Sequence, residues 1–76
     1  MPFDMYSEVI LTRDVAERRL RTGDIGTVVE RHAVSSVSEE GYSVEFFDMN
    51  GNTVAVVTLQ ASALRLPTPA DRALSA

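Results

Sequence analysis

Few residues in this sequence could catalyse a reaction or bind a metal. His32 is the only histidine, and the chain of 76 residues contains no cysteine. A metal site needs several such ligands, and a catalytic histidine needs a positioned partner beside a pocket. We therefore interpret His32 as an ordinary surface residue and predict no metal and no cofactor. The nearby serines are Ser35, Ser36 and Ser38. Nothing in the sequence marks one of them as an activated nucleophile.

The acids and glycines give no stronger indication of catalysis. Glu39, Glu40 and Asp48 could be imagined as a carboxylate pair, or they are loop acids that keep the protein in solution. Gly23 and Gly26 are interpreted as turn residues, because no helix and no Lys-Ser/Thr pair follows them as in a phosphate-binding loop. We predict that the chain is not an enzyme.

The charge of the chain narrows the choice of partners. Eleven acidic residues outnumber seven basic residues, all of them arginine, and the net charge is −4. This balance disfavours DNA or RNA as the main ligand. One basic cluster stands out, formed by Arg18, Arg19 and Arg21. It is either a solvated loop balanced by nearby acids or the edge of a binding site for an acidic partner or for phosphates.

The elements that position these residues are short strands separated by turns, with no helical period sustained for two turns. A long loop, residues 13–22, contains one helical turn and is held to the core by Leu20. A hairpin loop covers residues 32–40, and the Asn50-Gly51 pair predicts a tight hairpin. Residues 60–63 resemble a 3-10 turn. The predicted strands cover residues 6–12, 23–30 (turn included), 41–47, 53–59 and 64–66.

Five strands, a long first loop and a 3-10 turn before the last strand predict an all-β fold, a small five-stranded SH3-like barrel over residues 1–66. The remaining residues, 67–76, are small or polar and include two prolines. They are predicted to form a flexible tail or a short terminal helix from Ala70.

The strands also predict an exposed apolar surface. Tyr42, Val44 and Phe46 alternate toward the core, so Phe47 points the other way. The next strand is almost wholly apolar, and alternate residues of it point outward. We predict that Phe47, Val54 and Val56 contact a second copy or another protein. The alternative is that a β-bulge or strong curl buries both phenylalanines.

Two strings of residues resemble known families. The string GDIGTVVE, followed by YSVEFFDMNGNTVAVVTLQASALRL, is similar to a family of small bacterial SH3-like proteins of unknown function with the pattern GD-G-T-VE and VEF-D-G-T. That resemblance covers Tyr6 to Leu66 and implies the SH3-like fold but no activity. The Gly-Thr-Val part alone looks like the start of the KOW modules of ribosomal proteins and transcription factors.

We therefore predict a non-catalytic protein-interaction module, either self-associating or the small, antitoxin-like partner of a co-expressed protein. The alternative is a KOW-like nucleic-acid-binding module that uses exposed aromatic residues and the arginine loop. The lack of cysteine, of a signal peptide and of an apolar run of about 20 residues predicts a cytoplasmic protein without a membrane partner.

Overall fold

The computed structural model describes residues 3–32 and 40–74. The chain is mostly β, as predicted, with five strands, two 3-10 turns and one short helix in the described residues. The 3-10 turns are Ala16–Arg18 and Ala61–Ala63, and the helix, α1, is Pro69–Leu74. The strands are β1 (Glu8–Leu11), β2 (Ile25–His32), β3 (Gly41–Phe47), β4 (Thr53–Gln60) and β5 (Leu64–Arg65).

The five strands form one antiparallel sheet in the order β4-β3-β2-β1-β5. Strands β1 to β4 follow one another as a meander, and the chain then returns through the second 3-10 turn to pair β5 with β1. The two end strands of the sheet, β4 and β5, are not neighbours in this order. The described sheet therefore has two edges.

Alternation along the strands places the core on one face of the sheet. Tyr42, Val44 and Phe46 are buried, which confirms the predicted core set of β3. Val9 and Leu11 of β1 belong to the same cluster. The other members of the core cluster are Val15, Leu20, Val28, Ala55, Val57, Leu59, Ala63 and Leu64.

The long loop between β1 and β2 is anchored as predicted. Val15 and Leu20 form an isolated antiparallel bridge, and both side chains are buried. Between them the chain makes the first 3-10 turn and then reverses at Arg19, whose φ of 58° is left-handed. The loop therefore carries its charged residues outward from an apolar base.

The interpretation of Gly26 as a turn residue is wrong. Gly26 lies inside β2, opposite Phe46, and it is buried. A Cβ atom at this position would lie 2.5 Å from Val44 Cγ1 and 2.9 Å from Phe46 Cε1. The glycine is needed because neighbouring side chains of β3 occupy this space, whereas Gly23, with a φ of 96°, does lie in the turn before β2.

The hairpin between β3 and β4 is held by an acid. The Asp48 carboxylate accepts hydrogen bonds from the backbone N–H groups of Asn50 and Asn52, at 2.8 and 2.9 Å. Gly51 takes a φ of 84°. Of the predicted hairpin loop 32–40, His32 is the last residue of β2, and residues 33–39, with Ser35, Ser36, Ser38 and Glu39, lie outside the described residues.

The segment after β5 forms α1 in the described structure. Thr68 and Asp71 cap its start, and the Arg65 guanidinium binds both carboxylate oxygens of Asp71, at 2.8 and 3.1 Å. Among the helices that the structure describes, none has the length and apolar character that crossing a membrane requires.

Candidate functional site

The face of the sheet opposite the core carries a group of exposed apolar side chains. Ile25 of β2 and Phe47 of β3 are each 45% exposed, and Val54 and Val56 of β4 are 56% and 48% exposed. We call these four residues the outer patch. The predicted outward orientation of Phe47, Val54 and Val56 agrees with these exposures.

A β-bulge shapes the patch. The β3–β4 register shifts between Phe46, which faces Ala55, and Phe47, which faces Thr53. Val54 is the additional residue on β4 that the shift leaves unpaired. A bulge was the sequence-based alternative that would have buried both phenylalanines, yet Phe46 is buried and Phe47 remains exposed.

A groove of about 280 Å³ joins the patch to the long loop. Arg19 lines it from the loop, and Ile25, Phe47 and Val54 line it from the sheet. The structure therefore brings together three of the predicted binding residues, Arg19, Phe47 and Val54. Val56 lies next to this groove on the outer face, where it pairs with Glu45. The remaining groove residues are Leu20, Asp24, Phe46 and Asp48.

The arginine cluster is divided by the fold. Arg18, Arg19 and Arg21 are all exposed, and none of them forms an ion pair with a described residue. Arg21 lines a separate hollow with Arg19 and Asp14, whereas Arg18 is not among the residues of the Phe47 groove. Only Arg19 therefore places its charge beside the outer patch.

Carboxylates fix the shape of the long loop. The Asp14 carboxylate accepts hydrogen bonds from the backbone N–H and the hydroxyl of Thr22, at 2.8 and 3.0 Å, and Asp24 accepts one from the N–H of Arg21 at 2.9 Å. The pKa of Asp14 is lowered chiefly by the Thr22 N–H, then by its hydroxyl, and less by the charge of Arg21. The acids near the arginines thus bind the backbone of the loop.

His32 takes part in a chain of hydrogen bonds at the other end of the outer face. Its Nε2 atom lies 2.8 Å from Ser43 Oγ, which lies 3.1 Å from Thr58 Oγ1. The Glu30 carboxylate approaches the same Nε2 atom at 4.0 Å. Because the Ser43 hydroxyl is buried and shared with Thr58, this chain satisfies polar groups between three strands.

Glu40 and Asp48 do not form a carboxylate pair, because β3 separates them along its whole length. Glu40 instead binds Tyr42, whose hydroxyl donates to its carboxylate at 2.5 Å, and Arg31, at 3.1 Å. The hydrogen bond from Tyr42 is the main cause of the lowered pKa of Glu40. Among the residues that the structure describes, no group of three or more histidine or acidic residues could hold a metal ion.

Sequence reasoning missed two features of the outer face. Ile25 was included in a turn, although it lies three residues before the apolar Val28, and an odd spacing along a strand places two residues on opposite faces. The contact of His32 with Ser43 and Thr58 depends on the pairing of three strands, and no local pattern in the sequence indicates it. The His32 contact comes from the registers of β2 against β3 and of β3 against β4.

Comparison with known proteins identifies the family. No curated protein and no solved structure matches the chain. One family model, described as a domain of unknown function (DUF4926), matches residues 5–66. The match includes all five strands of the sheet and ends before α1. The chain therefore belongs to the DUF4926 family, a family whose function is unknown.

Proposed function

We propose that this chain is a non-catalytic protein-interaction module that binds another protein through the outer patch. The observation that carries the proposal is the presence of four half-exposed apolar side chains on one face of a small sheet, beside the groove that Arg19 lines. Grouped apolar side chains of this kind, with polar residues around them, are typical of protein interfaces. The partner is either a second copy of the chain or a co-expressed protein. In the second case the chain has an antitoxin-like role.

We also propose that the sheet is that of a small SH3-like barrel. The meander of four strands, the 3-10 turn before β5 and the pairing of β5 with β1 support this assignment. In such a barrel the long first loop borders the ligand groove, which agrees with the place of Arg19. The lack of cysteine agrees with a reducing compartment such as the bacterial cytoplasm.

The proposal is tested by purifying tagged variants from the native host at moderate salt. Phe47→Gln removes the largest side chain of the patch, and we expect recovery of the bound partner to fall at least tenfold. Leu66→Gln is the matched control, because Leu66 is also exposed but follows the strand at the opposite edge of the sheet. A partner that binds Phe47→Gln as well as it binds the unchanged chain contradicts the proposal.

A pair of charge reversals tests the role of the loop. Arg19→Glu and Arg18→Glu change the charge equally, but only Arg19 lines the groove with Phe47. We expect Arg19→Glu to weaken partner binding several-fold more than Arg18→Glu, because a charge at the rim of an interface mainly affects association. Recovery of nucleic acid alone, with binding that decreases steeply as salt rises, would favour the KOW-like function instead.

A further inference from the structure

Strand β4 forms an unprotected edge of the sheet. In the described structure it pairs only with β3, and its eight residues, TVAVVTLQ, include no charged residue and no proline. Exposed edges usually carry such residues, or are very short, because unpaired backbone groups readily bind another strand. The other edge, β5, has only two residues and includes Arg65. The two edges of the sheet therefore differ sharply in protection.

The register shows which backbone groups of β4 face outward. The Ala61 N–H donates to the Glu40 carbonyl at 3.0 Å. Hydrogen-bonded and non-hydrogen-bonded pairs alternate along an antiparallel ladder. Leu59 and Val57, which pair with Tyr42 and Val44, therefore direct their N–H and C=O groups toward β3. Val56 and Thr58 direct theirs away from the sheet.

The space beside this edge is open. A groove of about 410 Å³ separates the last four residues of β4 from the long loop, whose residues on the opposite side are Arg13, Asp14, Val15 and Glu17. Val57 and Leu59 line the groove from β4. A strand that pairs with β4 lies about 4.8 Å from it, so it would enter this groove and cover these two core residues.

We propose that this edge binds β4 of a second copy, antiparallel about a two-fold axis, with Val56 facing Val56 of the second copy. The inference goes beyond the proposed function, because it assigns a second contact, through the backbone of β4, with its own partner and register. In this register Val54 faces Thr58 of the second copy, and Val56 and Thr58 exchange backbone hydrogen bonds with the opposing strand. The two outer patches then lie on one continuous sheet.

The charge of β4 favours this occupant. Two molecules that each carry a net charge of −4 repel one another, and a contact that has no charges of its own adds least to this repulsion. Strand β4 brings no charge to the contact, and the groove beside it is lined by Arg13 as well as by Asp14 and Glu17. Glu45, which pairs with Val56, would lie three strand spacings, about 14 Å, from its symmetry mate, which exceeds the screening length at physiological salt.

Single cysteines test the register directly, because the chain contains no cysteine of its own. A hydrogen-bonded antiparallel pair has a Cα separation of about 5.5 Å, which suits a disulfide. We expect Val56→Cys to form a disulfide-linked dimer under mild oxidation. Thr58→Cys would face Val54, and Thr27→Cys lies on β2, so both should cross-link at least tenfold more slowly. Equal cross-linking of the three variants overturns the proposal.

Mass in solution and amide exchange complete the test. We expect the unchanged chain at about 100 μM to have twice the mass of one chain, with slow exchange at the amides of Val56 and Thr58. Val56→Lys should have the mass of one chain, fast exchange at Thr58 and unchanged chemical shifts in the core. A single-chain mass for the unchanged protein, or slow exchange at Thr58 in Val56→Lys, contradicts the inference.

The failure of this inference and that of the proposed function give different results. Phe47 lies on β3, away from the free edge, so Phe47→Gln should leave the mass of the dimer unchanged. If Phe47→Gln abolishes binding of a co-expressed protein while Val56→Cys does not cross-link, the inference fails and the proposed function stands. If Val56→Cys cross-links and Phe47→Gln binds every partner as the unchanged chain does, the dimer through β4 stands. The proposal that the outer patch binds a partner then fails.

Discussion

At Gly26, the side chains of β3 lie so close to β2 that they leave no room for a Cβ atom. The place of the missing Cβ is bordered by Val44 Cγ1, by Phe46 Cε1 and by the Glu45 carbonyl oxygen, at 2.5, 2.9 and 3.0 Å. All three neighbours belong to β3, and the side chains of Val44 and Phe46 are buried in the core. A methyl group can be accommodated here only if these buried side chains or the two strands shift.

We therefore expect Gly26→Ala to lower the free energy of unfolding by about 1–3 kcal/mol, the usual cost of overpacking a core. Gly41→Ala is the matched control, since Gly41 also lies in a strand but its nearest neighbour is His32 Cβ at 3.7 Å, an ordinary contact. Its effect should stay within about 0.5 kcal/mol. Urea unfolding of both variants makes the comparison, and equal losses would contradict the steric explanation.

Individual residues were predictable from the sequence where a period of two decides their environment. The alternation along GYSVEFF separates the buried Tyr42, Val44 and Phe46 from the exposed Phe47 without knowledge of the fold. Gly26 was misinterpreted because a glycine that follows another glycine so closely, as Gly26 follows Gly23, has the same local pattern in a turn and in a strand. Only the position of β3 distinguishes the two, and that position depends on residues far along the chain.

At the scale of elements, the sequence indicated the strands and the second 3-10 turn more reliably than their limits. The first strand was predicted to begin at Tyr6, but Tyr6 has a φ of 64° and β1 begins at Glu8. The Tyr6 N–H still binds the Val28 carbonyl, at 2.7 Å. The residue types before Glu8 favour a strand, but the backbone turns at Tyr6. Side-chain propensity does not detect such a turn.

The helix α1 depends on a small set of polar contacts after β5. The Thr68 N–H donates to Asp71 Oδ2 at 2.7 Å, and the Asp71 N–H donates to Thr68 Oγ1 at 3.4 Å, which is the pattern of a capping box. Pro69 occupies the first helical position, where its missing N–H has no cost. The carboxylate that caps the helix also binds Arg65 of β5.

We expect Asp71→Asn to remove the helical Cα chemical shifts of residues 69–74 while the shifts of the sheet stay unchanged. The Arg65 guanidinium, followed by the N–H and hydroxyl of Thr68, holds the pKa of Asp71 well below its usual range. The helix should therefore persist at about pH 3.9, where an ordinary aspartate is half protonated. Arg65→Gln keeps the capping box and should lose less helix. Equal helicity in Asp71→Asn and the unchanged chain would contradict this account.

At the scale of the whole molecule, the candidate site could be predicted only in part. Its apolar members on β3 and β4 followed from alternation, and Arg19 from the clustering of arginines. The selection of Arg19 over Arg18 required the left-handed turn at Arg19 and the return of the loop through the Val15–Leu20 bridge. These features bring Arg19 to the groove that Phe47 of β3 lines. The spacing of residues within the loop does not predict this position.

The pH dependence of stability also belongs to the whole chain. Folding lowers the pKa values of Asp14, Glu40, Asp48 and Asp71, in each case chiefly through hydrogen bonds to the carboxylate. The unfolded chain therefore binds more protons than the folded chain in mild acid. The stabilisation from these groups is complete above their unfolded pKa values, about 4, and is lost as the pH falls through the lower folded values.

Tyr42 has the opposite effect in alkali. Burial, and then the neighbouring Glu40 carboxylate, raise the pKa of Tyr42. Its stabilising contribution is therefore complete below about pH 10, the unfolded value, and is lost as the pH rises through the higher folded value.

In a pH series of urea unfolding, we expect stability to decrease below about pH 5 and again above pH 10. Tyr42→Phe is less stable throughout, because the hydroxyl no longer binds Glu40 and Phe3, but its alkaline slope should be shallower. Equal alkaline slopes in the two proteins would show that another group causes the loss.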